Sequence, residues 1–350
     1  DMGEGAAAPA ADALPAAALS VLNETAAQLG KGRRKRSTPA GLTPRETIQG
    51  WEQTSEHSIH QASQKGVLCL ALCPNDSQVT LSGGVDKTAR LFNRAEGKVT
   101  ANLKGHKKPV TAVGFVPNAD VLLTGSFDGH LRTFLGEDGK YSVGQAIKAH
   151  DGTPIADACA HPSGAFALSS AADGSWALSD LESGSVLTSG AGVEGKASQA
   201  ARFHPDGMLF GVGSDDAVVR VWDLSQAGSG AQLSLSGHSG PINSVAFSEN
   251  GYHMASASED GTVRVWDLRK SKTLHTFELG APAGAVAFDR SGKYIATGAS
   301  DVRVHVVKEW TQLAAFEGPK DRVTGVEFGP LARFIVSSSM DRFMRFAGVE

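Results

Sequence analysis

Short apolar segments separated by polar turns recur along the chain, most clearly over residues 237–270, GHSGPINSVAFSENGYHMASASEDGTVRVWDLRK. Three segments here, Ile242–Phe247, His253–Ser258 and Thr262–Asp267, are too short for helices of ordinary length. They are rich in Val, Ser, Thr or aromatic residues, which predicts strands. The triplets Glu249-Asn250-Gly251 and Glu259-Asp260-Gly261 between them read as hairpin turns, where glycine supplies the positive φ of a tight turn. A fourth strand is predicted over 273–277, after the Arg-Lys-Ser turn. One unit is thus a four-stranded antiparallel sheet.

The polar residues of this unit fit a single account. Asp260 sits in the second turn, Ser258 two residues before it, Trp266 six after it, and His238 at the start. Indole N–H only donates, a carboxylate only accepts, and hydroxyl and neutral imidazole do both. Trp266, Ser258, His238 and Asp260 are therefore predicted to form a hydrogen-bonded chain satisfied within the sheet. Ser, His and Asp are also the members of a hydrolytic triad, but a set tied to a repeat period reads as structural. With Gly237-His238 at its start and Trp266-Asp267 at its end, the unit resembles a WD repeat, one blade of a β-propeller, and the four residues resemble that family's structural tetrad.

With the turn aspartate as a marker, the chain reads Asp86, Asp128, Asp173, Asp216, Asp260, Asp301 and Asp341, at intervals of 40–45 residues. That is the period of such a blade. The fold class expected is all-β, a seven-bladed WD-repeat propeller preceded by a mostly disordered linker. Only the fifth unit carries the whole tetrad. The second has His106, Ser126 and Asp128 with Phe134 in place of tryptophan; the fourth keeps Ser214, Asp216 and Trp222 without the leading histidine; the sixth retains little beyond Asp301. The last unit has too few residues for a fourth strand, and an open edge invites aggregation. A strand from about 56–63 is expected to fill it, giving a basic, low-complexity linker over 1–55 and a propeller over 56–350.

Composition changes the picture in three places. A net charge of −4 gives no overall nucleic-acid footprint. Three cysteines, Cys69, Cys73 and Cys159, are an odd number, and the first two fall in an apolar strand, so a reducing compartment is expected. His57, His60, Cys69 and Cys73 have no recognised zinc spacing, and no metal or cofactor is expected. The first fifty residues differ from the rest: alanine-rich over 5–19, interrupted by Pro9 and Pro15, with a helical turn or two predicted over 20–29 and no membrane span. Lys31, Arg33, Arg34, Lys35 and Arg36 form a basic run that reads either as a solvated linker or as a nuclear-localisation or RNA-contacting patch.

FHPDGMLFGVGSDDAVVRVWDL (203–224), the fifth unit, FDRSGKYIATGASDV (288–302), Glu309-Trp310-Thr311 and RFIVSSSMDR (333–342) resemble the C-terminal propeller of the pre-mRNA-processing factor 19 family. SIHQASQKGVLCLALCPND (58–76) and TLSGGVDKTARLF (80–92) are similar to its opening blade, and the likeness runs from about residue 42 to the end. It departs in the alanine-rich start and in third-blade loops such as 190–196. The resemblance implies a nuclear, splicing-associated U-box ubiquitin ligase that also serves DNA-damage repair. It places ligase activity, the contact with a ubiquitin-conjugating enzyme and a tetramer-forming coiled coil upstream of residue 1. No catalytic residue is carried over.

Three functions follow as expectations. The first is a scaffold that recruits spliceosomal and other nuclear proteins and, in a longer protein, ubiquitination substrates; the alternative within this class is a substrate receptor or scaffold of another nuclear complex. The residues before the markers (Val85, Phe127, Ala172, Asp215, Glu259, Ser300, Met340) are expected to project onto one face, with Phe127 and Met340 as apolar contacts and Lys107 and Lys108 beside them. The second is an enzyme in the central channel, which would need converging carboxylates or a metal. The third is weak RNA contact by the basic run, which lacks interleaved aromatic residues.

Overall fold

The computed structural model describes residues 14–34, 36–60, 66–193 and 195–349. Its strands form seven four-stranded antiparallel sheets, and in blades one to six the strands pair in the order of the sequence. Short turns join sequential antiparallel strands, so each blade is a local structure. Blade five reproduces the three predicted strands and extends the fourth to Lys272–Glu278.

The first strands of successive blades lie side by side around a central axis. Second strands such as Phe166–Ala171 and Phe334–Ser339 are buried along their whole length, because neighbouring sheets cover both faces. Outer strands such as Lys98–Leu103 are mostly exposed. The core is accordingly divided among the seams. Between blades one and two, Leu81 and Leu91 meet Val110, Val113, Leu122 and Phe134. The inter-strand turns add polar ties between blades: His161 donates from Nε2 to the carbonyl of Gly207 at 3.0 Å, and His204 to that of Gly251 at 2.9 Å.

Blade seven combines Val323–Phe328, Phe334–Ser339 and Phe343–Gly348 with Glu52–Ser58. The register runs from Glu52 opposite Gly348 to Ser58 opposite Phe343. The closing strand thus lies earlier than the segment 56–63 inferred from sequence, of which 61–63 fall outside the described residues. What fixes it is side-chain chemistry at its two faces. The His57 ring packs 4.6 Å from Phe92, while Arg345 Nε donates to Glu56 at 2.8 Å and Thr54 Oγ1 to the carbonyl of Phe346 at 3.2 Å.

In place of one or two turns over 20–29, a helix spans Ala16–Arg34. Ala18 and Leu22, one helical turn apart, share a face and pack against Trp176, Phe210, Trp222 and Leu224 at the seam of blades three and four. That contact stabilises a helix whose polar remainder would not hold it alone. Further on, helix Arg45–Gln49 buries Ile48, which joins Trp51 against Val302, Phe316 and Ile335. Tyr294 Oη donates to the carbonyl of Thr43 at 2.8 Å. The described part of the segment before the ring therefore lies against it.

Candidate functional site: the turn networks and the channel mouth

Blade five holds the expected chain with one change of member. Trp266 Nε1 donates to Ser256 Oγ at 2.9 Å; Ser256 Oγ meets His238 Nε2 at 2.8 Å; His238 Nδ1 meets Asp260 Oδ2 at 2.8 Å. The hydroxyl between indole and imidazole is Ser256, not Ser258. Ser258 donates instead to the carbonyl of Gly240 at 2.8 Å and accepts from Asp260 N at 3.2 Å. Both serines face the same side of the strand, as residues two apart must. Register decides between them: Trp266 lies opposite Met254, within reach of Ser256, whereas Ser258 lies opposite Ile242 at the strand end. Burial lowers the pKa of His238 although Asp260 opposes it, so the imidazole is neutral near pH 7. Burial raises that of Asp260, but hydrogen bonds from Ser239 N–H, Thr262 and His238 outweigh it and hold the carboxyl at about 2.

The same shift of two residues applies in blade two, where His106 Nε2 meets Thr124 Oγ1 at 2.8 Å and Ser126 donates to the carbonyl of Lys108. Two leading histidines escaped the sequence reading. His60 joins Ser82 (3.1 Å) to Asp86 (3.0 Å) in blade one. His150 joins Ser169 to Ser175 at 2.8 Å each in blade three, and Ser175 donates to Asp173 at 2.6 Å. The available signal was their spacing from the marker, close to that of His106 and His238. A second overlooked signal is an arginine four residues after the marker. Arg220 pairs with Asp216 at 2.5 Å and donates to Ser214 at 3.0 Å in blade four, and Arg345 pairs with Asp341 at 2.7 Å in blade seven. Each guanidinium supplies donors to a carboxylate that no histidine reaches. Ser256 is fully buried and bonded on both sides, so this constellation maintains the turn and presents no nucleophile.

Above these turns the backbone repeats one further bond. The residue before the marker donates its N–H to the loop leading into the blade: Val85 to Gly66, Phe127 to Pro109, Ala172 to Pro154, Asp215 to Ala197, Glu259 to Pro241 and Met340 to Arg322, at 2.9–3.3 Å. Val85, Phe127, Asp215, Glu259 and Met340 line an axial channel of about 1110 Å³, and Ala172 and Ser300 do not. Phe127 is 41% exposed. The two acidic members have partners: Asp215 accepts from Gln199 Nε2 at 2.9 Å, while Glu259 accepts from Asn243 at 3.1 Å and pairs with Arg322 at 2.5 Å. Deeper in the wall, Asp157 pairs with Arg202 and Glu327 accepts from Leu72 N at 3.3 Å. Lys107 and Lys108 are exposed.

The basic run is only partly free. Arg36 donates to the Glu249 carboxylate at 2.6 Å and to the carbonyl of Arg290 at 2.5 Å, Lys31 is exposed, Arg34 ends the helix, and Lys35 lies outside the described residues. The three cysteines are free thiols, and burial pushes Cys159 up to about 12. Among the described residues, no three His, Cys, Asp or Glu side chains gather as a metal-ion site.

Comparison with known proteins gives two findings. The WD domain, G-beta repeat profile matches residues 52–93, 97–134, 193–223, 231–267 and 310–346. It passes over most of blades three and six. Pre-mRNA-processing factor 19 of Bos taurus is 38% identical over 334 residues, 94% of this chain and 65% of its own length. The proteins of that name from Oryza sativa and Caenorhabditis elegans are 35% and 36% identical, with 64% and 67% of their lengths covered. The chain thus spans about 65% of the bovine relative. With more than half of its residues in matched repeats and this identity over nearly its whole length, the chain belongs to the WD-repeat proteins, within the pre-mRNA-processing factor 19 family.

Proposed function

We propose that this chain is a protein-interaction scaffold in pre-mRNA processing, its propeller recruiting spliceosomal partners at the channel mouth. The observation that carries the reading is the mouth itself. A ring of packed blades holds Phe127, Val85 and Met340 on backbone-fixed turns, where a partner meets them without prior rearrangement. The name of the relatives supplies the process. In the same reading the protein works in the nucleus, as part of a ubiquitin ligase complex that also acts in DNA repair. Contact with a ubiquitin-conjugating enzyme through a U-box, and homotetramer formation through a coiled coil, complete this reading.

The channel favours this over an enzyme. Of its carboxylates, Asp157 and Glu259 are engaged by Arg202 and Arg322, Asp215 by Gln199, and Glu327 and Asp321 by the backbone N–H groups of Leu72 and Arg322, so each has a donor within the protein. Recovery of splicing proteins from nuclear extract on immobilised chain tests the scaffold reading. Phe127→Asp or Met340→Asp is expected to lose at least one partner, and unchanged recovery of all of them would remove this face from consideration.

A further inference from the structure

The positions preceding the marker aspartates differ in character around the ring. Blades seven, one and two present Met340, Val85 and Phe127, whereas blades four and five present Asp215 and Glu259. The apolar three are consecutive. Met340 and Val85 meet over Gly66, where an added methyl would lie 2.9 Å from Met340 Cε and 2.9 Å from Val85 Cγ2. Phe127 continues the arc on the next blade.

Lysines border this arc on the same set of loops. Lys87 follows Asp86 in the turn of blade one, Lys104, Lys107 and Lys108 lie on the loop into blade two, and Lys320 on the loop into blade seven; all are exposed. The backbone N–H groups of Lys107 and Lys320 donate to Asp128 and Asp341 at 2.9 Å each, so the two loops are fixed alike while their ammonium groups face solvent. Of the marker carboxylates nearby, Asp86 and Asp341 are paired with Arg90 and Arg345, and Asp128, which accepts from His106 and the Lys107 N–H, leaves a single charge against the five lysines. Asp321, next to Lys320 in the chain, accepts from Arg322 N at 2.8 Å.

We propose that this arc docks an acidic, extended protein segment carrying a bulky apolar residue, and the proposal rests on the scaffold reading above. Carboxylates of the segment lie over the lysines, and its apolar side chain enters the mouth against Phe127, Val85 and Met340. An exposed aromatic ringed by charges is the composition of an interface anchor with a steering rim. Asp215 opposite, whose partner Gln199 is uncharged, repels the segment's ends and sets which side it occupies, while Glu259 is offset by Arg322. A nucleic acid strand fits less well: it needs successive stacking faces, and here one ring stands beside valine and methionine.

Fluorescence anisotropy with the whole chain tests this, using a labelled synthetic peptide of Asp and Glu residues around one Leu-Phe pair. Binding is expected to weaken several-fold from low to physiological salt. Lys107→Glu combined with Lys108→Glu, and separately Phe127→Ser, should each lower affinity about tenfold, while Asp215→Asn, which removes a repulsive charge, should bind somewhat more tightly. Melting temperatures equal to that of the parent chain establish that the variants are folded. No binding by the parent, equal affinity in the double lysine variant, or tighter binding of an oligouridine of the same length overturns the proposal. If the peptide fails while Phe127→Asp still loses splicing proteins, the acidic-segment assignment falls and the scaffold reading stands.

Discussion

Blades five and six adjoin, share a backbone plan and solve the same turn differently. In blade five, indole, hydroxyl, imidazole and carboxylate are joined from Trp266 to Asp260 with no polar atom of the chain left over. In blade six, Leu279 stands where His238 would and Thr297 where Ser256 would, while His305, opposite Ile295 as Trp266 lies opposite Met254, takes the place of the indole. Thr297 Oγ1, Asp301 Oδ1 and His305 Nδ1 are buried without a hydrogen-bond partner among the described residues. Apolar and ring contacts replace the network. Leu279 and Val307 enter the seam cluster with Phe277 and Ile295, while His275 stacks on Trp310 at 4.9 Å and Phe277 lies 4.3 Å from His305. The lesson is that seam packing builds the blade, and the polar chain is an addition whose loss the seam can absorb.

The comparison can be broken by experiment. His238→Ala strands both Ser256 and Asp260 and should cost about 3 kcal/mol by chemical denaturation, more than His305→Ala, which loses ring packing alone. Equal costs would mean that the blade-five chain contributes nothing. Acid sharpens the contrast next. Burial, with the charge of Arg303 and the ring of His275 adding to it, holds His305 at about 4. The unfolded chain takes this proton first, near 6.5, so the residue's contribution is complete above that pH. It is lost as pH falls toward about 4, on the order of 3 kcal/mol. His305→Phe should keep neutral-pH stability and make the loss between pH 6.5 and 4 shallower; an unchanged acid profile would contradict a buried, neutral imidazole.

A smaller effect separates the hydroxyls. Ser256→Ala should cost about 2 kcal/mol, while Thr297→Val, which removes an unpartnered buried hydroxyl, should be neutral or slightly stabilising in the same measurement. Destabilisation by both to the same degree would erase the difference between the blades. Smallest of all, Ser258→Ala should cost about 1 kcal/mol, since it loses a turn bond and leaves the indole and imidazole paired. A cost above that of Ser256→Ala would reverse the assignment of the two serines.

The ring was legible in the sequence because a turn needs the same residue types each time the chain passes: the seven aspartates mark seven sheets. Which serine joins the network was not, since Ser256 and Ser258 share a face and only the pairing of strands chooses between them. His60 was obscured by lying just after a strand that serves another blade, away from its own marker. The helix Ala16–Arg34 was hidden for a different reason. Its composition is that of a low-complexity stretch, and what forms it is the apolar seam of blades three and four, distant in the sequence. Of the mouth, the residues before the markers could be named in advance, but not that Glu259 is occupied by Arg322.

The strand that completes blade seven has a consequence for biosynthesis. Glu56 and its partner Arg345 are 289 residues apart in the chain. At about 5–20 residues per second, the ribosome makes the first some 15–60 s before the second. For that interval an emerging edge has no mate, and six blades assemble around a gap that only the final segment closes.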